Sequence, residues 1–205
     1  MKKKYKEEYK ILILSDNEIL KKYSVIQIKD KFKDIDFIIS AGDVSNRYLD
    51  YIYSVLDKDL IYINGNHVYS KDHKIPFCKC IDGKIIKYKN IKILGLDGSL
   101  FYSGGEHQYT ENQMKWRIVK LMSKLIIQKP DIVVTHAPMS GIHDKENDPV
   151  HKGFKSFWLI LNNIHPKLWI HGHTHLSSHF EKQETIIDET KIVNAYGFKC
   201  IKFKL

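Results

Sequence analysis

The chain has 205 residues, enough for one large domain with a sizeable core. Apolar residues make up 43% and charged residues 28%, ordinary for a soluble globular protein, and no apolar run reaches the roughly 18 residues that a membrane helix needs. A formal net charge of +9 suits an anionic substrate, nucleic acid included, but the lysines are spread along the whole chain among Ile, Asn and Tyr, so the charge carries little weight as a nucleic-acid signal and a nuclease is the less expected reading.

In chain order, the lysine-rich start reads as a solvated tail without a signal core, so a cytoplasmic protein with no membrane partner is expected. Short apolar runs bounded by turn residues predict strands at 10–15, 36–40, 60–65, 84–89, 91–97, 131–137, 167–172, 190–196 and 199–205. Helical periodicity predicts helices over 18–32, 46–56, 110–128 and 153–164, with Thr110 as the cap of the third. The strands at 84–89 and 91–97 are separated only by Asn90, which predicts a tight hairpin or a bulged pair. The three cysteines, Cys78, Cys80 and Cys200, have no framework spacing, and the first two form a poor zinc pair; all read as reduced thiols. No Pro-, Gly- or Ser-rich linker and no repeat divides residues 1–205, so a single α/β domain is the economical organisation.

Two long loops, 97–109 and 137–152, follow strand ends, where open α/β sheets place their sites. The strand ends share a property. The first runs into Asp16 and Glu18, the second into Gly42-Asp43, and the third into Gly65-Asn66-His67. Two later strands end in His136 and in His171-Gly172-His173-Thr174-His175. Carboxylate, amide oxygen and imidazole together suit divalent Mn, Fe or Zn. The ligands are too many for one tetrahedral ion and about right for two bridged ions.

The order Asp, Gly-Asp, Gly-Asn-His, His, Gly-His-x-His resembles that of the calcineurin-like metallophosphoesterases, from Ile11 to the closing strand. The segments 98–114 and 136–157 are similar to a small prokaryotic branch of that family. The resemblance implies a four-layer αββα sandwich of two mixed β-sheets with metals at the sheet edges. It implies one ion on Asp16, Asp43 and His175 and a second on Asp43, Asn66, His136 and His173, with Asp43 bridging. The implied cofactors are two divalent metal ions, Mn²⁺ favoured, with Fe, Zn, Ni or Mg as alternatives. The resemblance also implies that hydroxide bridging the two ions would attack phosphorus, with His67 as the general acid toward the leaving group.

This chain departs from the family at one position. The first motif is normally Asp-x-His with both residues on the metal, whereas here Glu18 stands in place of the His. Three outcomes are open: Glu18 ligates the first metal, acts through a water, or leaves that site weakened. A ligating Glu18 adds negative charge, which favours hard ions and disfavours a phosphate dianion. A small phosphate ester is therefore expected as substrate, with diesters and cyclic nucleotides ahead of monoesters. A metal-binding or scaffold protein with little turnover is the alternative of a different class.

Other histidines have plainer readings. His171 is expected to support a ligand from behind. His143 and His151 are read as exposed or substrate-facing, and His107 and Tyr109 as lining the pocket or packing their loop. His73, His165 and His179 are expected at the surface, Asn46 as a helix cap, and Trp158 and Trp169 in the core.

Overall fold

Ile11, Leu12, Ile13 and Leu14 are all fully buried, which a strand achieves only when both of its faces are covered. The computed structural model describes residues 6–67, 75, 77–176 and 182–205. In chain order the strands are β1 (Glu8–Ser15), β2 (Phe37–Ser40), β3 (Leu60–Tyr62), β4 (Cys78–Cys80), β5 (Lys84–Tyr88), β6 (Ile91–Leu96) and β7 (Ser99–Leu100). They continue with β8 (Gln108–Tyr109), β9 (Ile132–Thr135), β10 (Leu168–His171), β11 (Glu184–Ile187), β12 (Thr190–Asn194) and β13 (Gly197–Lys204). The α-helices are α1 (Val25–Lys31), α2 (Asn46–Leu56), α3 (Glu111–Gln128) and α4 (Phe157–Ile164).

Among the described residues, one sheet has the order β13-β1-β2-β3-β4 and the other β11-β12-β10-β9-β6-β5. In the first, β1 to β4 pair in parallel and β13 runs antiparallel to β1. In the second, β12, β10, β9 and β6 are parallel, with β11 and β5 antiparallel at the two edges. Both sheets are therefore mixed, as expected.

Side chains alternate across a strand, so each apolar run serves two layers. Ile11 and Ile13 of β1 meet Ile132 and Val134 of β9 in a core between the sheets. Leu12 and Leu14 face the opposite way, against Ile28 of α1 and Tyr48 and Ile52 of α2. On the far side, Val133 and Trp169 pack against Met114 and Ile118 of α3 and Phe157 and Ile160 of α4. These three cores separate four layers in the αββα order expected for the sandwich, two helices on each outer face. The parallel pairing of both sheet centres sends the ends of β1, β2, β3, β9 and β10 to their C-terminal edges.

The structure departs from the sequence reading in local ways. The helix expected over 18–32 is broken: a 3₁₀ turn covers Ile19–Lys22, and Ser24 starts α1 through a capping box with Gln27. Strands β4 and β11 have no apolar run to announce them and lie at sheet edges. Ser45, not Asn46, caps α2, its hydroxyl accepting the Tyr48 N–H. Trp169 is fully buried, while Trp158 is only partly buried and donates its indole N–H to Ser140 O. The hairpin turn is Lys89-Asn90, both left-handed. All three cysteines are free thiols. His165 is exposed at the end of α4, whereas His73 and His179 lie outside the described residues. No helix of the described residues is long and apolar enough to cross a membrane.

Thr110 accepts the Gln113 N–H while Gln113 Oε1 accepts the Thr110 N–H. Thr110→Ala is expected to lower stability by about 0.5–2 kcal/mol in urea unfolding, with an unchanged slope.

Candidate metal centre

Three of the strand-end residues adopt left-handed backbone: Asp16 (φ 62°), Asp43 (φ 51°) and His173 (φ 66°). Such conformations are uncommon outside glycine, cost on the order of 1–3 kcal/mol each and cluster at functional sites. Here they turn each side chain off its strand end at the sheet edges. Gly42 (φ 97°) precedes Asp43, and a methyl group on it would press on Gly65 and His136. A methyl group on Gly65 would overlap the Asp43 carboxylate. The two glycines thus let the ends of β2 and β3 close on each other.

Asp43 is 6% exposed. Its Oδ1 accepts the His67 N–H at 2.9 Å, and its Oδ2 lies 3.2 Å from His136 Nε2 and 3.8 Å from His67 Nε2. Burial by itself would raise the carboxyl pKa, but the His136 charge and hydrogen bond outweigh it and hold the group at about 2. His136 is fully buried, which by itself lowers its pKa, yet Asp43 pulls it up to about 9. A cation on Asp43 can do what that proton does.

The hydrogen bonds around the cluster orient one ligand atom of each candidate toward its interior. His136 Nδ1 lies 2.8 Å from Ala41 O, a carbonyl that can only accept, so Nδ1 carries hydrogen and Nε2 faces inward. Asn66 Nδ2 donates to Tyr102 Oη at 2.9 Å, which places Asn66 Oδ1 3.0 Å from His136 Nε2. His173 Nε2 lies 2.6 Å from Val150 O, which leaves Nδ1 as its free nitrogen. Burial, then the His136 charge, lowers the His173 pKa to about 3, so the ring is neutral and able to ligate. Ligand atoms of Asp43, His136 and His173 all lie within 4.8 Å of one another. Acceptors brought together in this way repel unless a proton or a cation sits among them.

Asp16 adds to the cluster. Its Oδ2 accepts the His173 N–H at 2.8 Å, while its Oδ1 is buried without a hydrogen-bond partner, 3.7 Å from His175 Nε2. An orphaned carboxylate oxygen beside an imidazole suits a metal ion. The residues present therefore fit a divalent metal centre. A family model of calcineurin-like phosphoesterases matches residues 9–177.

The chain belongs to that family. It is a metal-dependent hydrolase of phosphoric esters. Among solved structures it is similar to the protein TT1561 of Thermus thermophilus, at 13% identity and a TM-score of 0.60, covering 96% of this chain and 98% of that one. It is also similar to a dimetal phosphatase from Danio rerio, at 13% identity and a TM-score of 0.56, covering 94% and 91%. No curated protein matches the chain in sequence.

Within this phosphoesterase, Glu18 has other contacts. Its Oε1 accepts the Ser45 N–H at 2.8 Å, and its Oε2 pairs with Lys21. Partial burial works to raise its pKa, but Lys21 and Ser45 outweigh it and lower the value. Both oxygens are thus engaged at the start of α2.

The remaining histidines sort by their partners. His171 is fully buried, with Nδ1 3.0 Å from Gly172 O and Nε2 2.9 Å from His143 Nδ1. His143 is bonded on its other side to Thr185, so it braces this strand end while lining a cavity with Asp144 and Lys145. His151 stands beside the centre, its ring 5.2 Å from that of His173 and 5.4 Å from that of His175, with Nδ1 on Asp148. Tyr109 packs its loop and donates to Asp97, whereas His107 lines a cavity next to His67. Tyr102, which orients Asn66, and the carbonyls of Ala41 and Val150 were not legible in the sequence, because nothing local marks them.

Gly65→Ala is expected to displace the Asp43 carboxylate and weaken divalent-metal binding about 10–100-fold. Calorimetric titration of Mn²⁺ into metal-stripped protein checks this; wild-type affinity in Gly65→Ala would refute it.

Proposed function

We propose that this phosphoesterase hydrolyses phosphodiesters with two divalent ions, Mn²⁺ by preference, held by the strand-end cluster. Asp16, Asp43 and His175 would hold the first ion, and Asp43, Asn66, His136 and His173 the second. The observation that carries the reading is the meeting of Asp43, His136 and His173 within 4.8 Å, with one ring nitrogen of each histidine already placed against a backbone carbonyl. Bound ions of this kind lower the pKa of water and neutralise charge that builds on the phosphoryl oxygens. The protein supplies the rest. Asp43 and Asn66 are oriented by the His67 N–H and Tyr102, so they need little rearrangement. The His67 side chain is 62% exposed and stands at the rim of the cluster, where it delivers a proton to the departing alkoxide.

A diester carries one negative charge and a monoester up to two. The cavity beside His67 is lined by Asp43, Asn46, Asn64 and His107 and, among the described residues, by no lysine or arginine. That lining supports diesters. One observation favours the alternative of a metal-binding protein with little turnover: Glu18 is engaged by Ser45 and Lys21.

Metal-stripped protein is expected to hydrolyse bis-p-nitrophenyl phosphate only after a divalent ion is restored, fastest with Mn²⁺. Asp43→Ala is expected to abolish this, and His67→Ala to lower kcat about 10²–10⁴-fold for an alkyl diester, whose alkoxide needs the proton, and much less for the aryl ester. Turnover that survives Asp43→Ala would sink the assignment. If Glu18 leaves the first ion short of a ligand, a Mn²⁺ titration shows one tight and one weak equivalent, and Glu18→His tightens the weak one. Two equally tight equivalents in the wild type would show that Glu18 is no deficit.

A further inference from the structure

The first long loop delivers a second imidazole to the cavity that His67 lines. His107 Nδ1 lies 2.6 Å from Asp97 Oδ2. Asp97 is 1% exposed and is itself held by Tyr109 Oη at 3.0 Å and Arg117 Nη1 at 2.9 Å. Arg117 in turn reaches Asp82 and lies 4.4 Å over the Tyr109 ring. The backbone of the loop is equally constrained. Gln108 Oε1 accepts the N–H groups of Tyr102, Ser103 and Gly104, and His107 O accepts the Ser99 N–H. His107 itself is held in the left-handed region at φ 56°. A buried carboxylate, a largely buried arginine and a strained backbone therefore fix one imidazole ring. Fixing of this kind is how proteins pre-organise groups that meet a ligand.

The cavity holds about 60 Å³ and is bordered by Asp43, Asn46, Asn64, His67 and His107. It is small, and its polar lining suits a hydroxyl-bearing carbon. With Nδ1 engaged by Asp97, the free polar atom of His107 is Nε2. A hydroxyl group is both donor and acceptor, so it can bond Nε2 in either protonation state of the ring.

We propose that His107 is a specificity-determining residue: its Nε2 hydrogen-bonds a hydroxyl carried by the leaving alcohol next to the scissile ester, so that esters of hydroxylated alcohols are preferred over plain alkyl or aryl esters. The inference rests on the phosphodiesterase reading above, because His67 marks the leaving-group side.

The test compares bis(2-hydroxyethyl) phosphate, diethyl phosphate and bis-p-nitrophenyl phosphate with the Mn²⁺-loaded full chain. In the wild type, kcat/KM for the hydroxyethyl ester is expected to exceed that for the ethyl ester about 10–100-fold, the worth of one such bond to an oriented group. His107→Asn keeps an amide donor for Asp97 and suits left-handed backbone, so its melting temperature is expected within about 2 °C of wild type. It loses the ring edge at Nε2, and the hydroxyethyl-to-ethyl ratio is expected to fall to within about 3-fold of unity. His107→Gln, which reaches the Nε2 position, restores part of the ratio. A wild-type ratio near unity, a ratio unchanged in His107→Asn, or activity confined to the aryl ester overturns the inference and leaves the phosphodiesterase reading intact. No turnover of any of the three esters with any ion overturns that reading, and the inference with it.

Discussion

The structure turns on one buried carboxylate. Asp43 sits at the end of a central strand, 6% exposed, and is approached by His136 from the opposite sheet and by the His67 N–H from its own. A charge so enclosed needs a positive partner, because the cost of desolvation is several kcal/mol for an isolated ion. In the protein by itself His136 supplies the partner as an imidazolium. A divalent cation bound there would take that place. Much else near the centre serves this group: the left-handed turn at Asp43, the glycines that give it room, and the carbonyl that orients His136.

The same constraint explains why two sheets are needed. Asp43 and Asn66 come from β2 and β3 of one sheet, while His136 and His173 follow β9 and β10 of the other. Packing Ile11, Ile13 and Phe37 against Ile93, Ile132 and Ile170 brings the two C-terminal edges to a common height. The inter-sheet core is therefore the frame of the centre, and the strained backbone at Asp16, Asp43 and His173 is held by it. Stability gained in the core offsets strain at the edge, a common division between scaffold and site.

The loops supply what the edges lack. Loop 97–109 presents His107 through the Asp97–Arg117–Asp82 network, and loop 137–152 places Val150 O on His173 and His151 beside it. Both are tied down by short-range hydrogen bonds from Gln108 and Asp144, so each meets the centre as a fixed wall. Glu18 belongs to the other end of this scale. Its carboxylate completes the start of α2, where a negative charge is favoured by the exposed N–H groups.

By itself, the sequence determined the alternation of strands and helices and the strand ends at Asp16, Asp43, Asn66, His136, His173 and His175, while the four-layer sandwich was implied by its resemblance to the phosphoesterase family. Those features are local or periodic: a run such as Ile11–Leu14 signals a strand with two covered faces, and a ligand placed after it follows from its position in the chain. Strands β4 and β11 carry no such signal because edge pairing needs no apolar run, and the break at Ser24 carries none because a capping box competes with helical periodicity. Only the tertiary structure decided the partners: Tyr102 on Asn66, Asp97 on His107, His143 on His171, and Ser45 and Lys21 on Glu18. Apart from the close Glu18–Lys21 pair, these contacts join residues 10 to 36 positions apart, and their geometry exists only once the sheets have packed and the loops have closed over their edges.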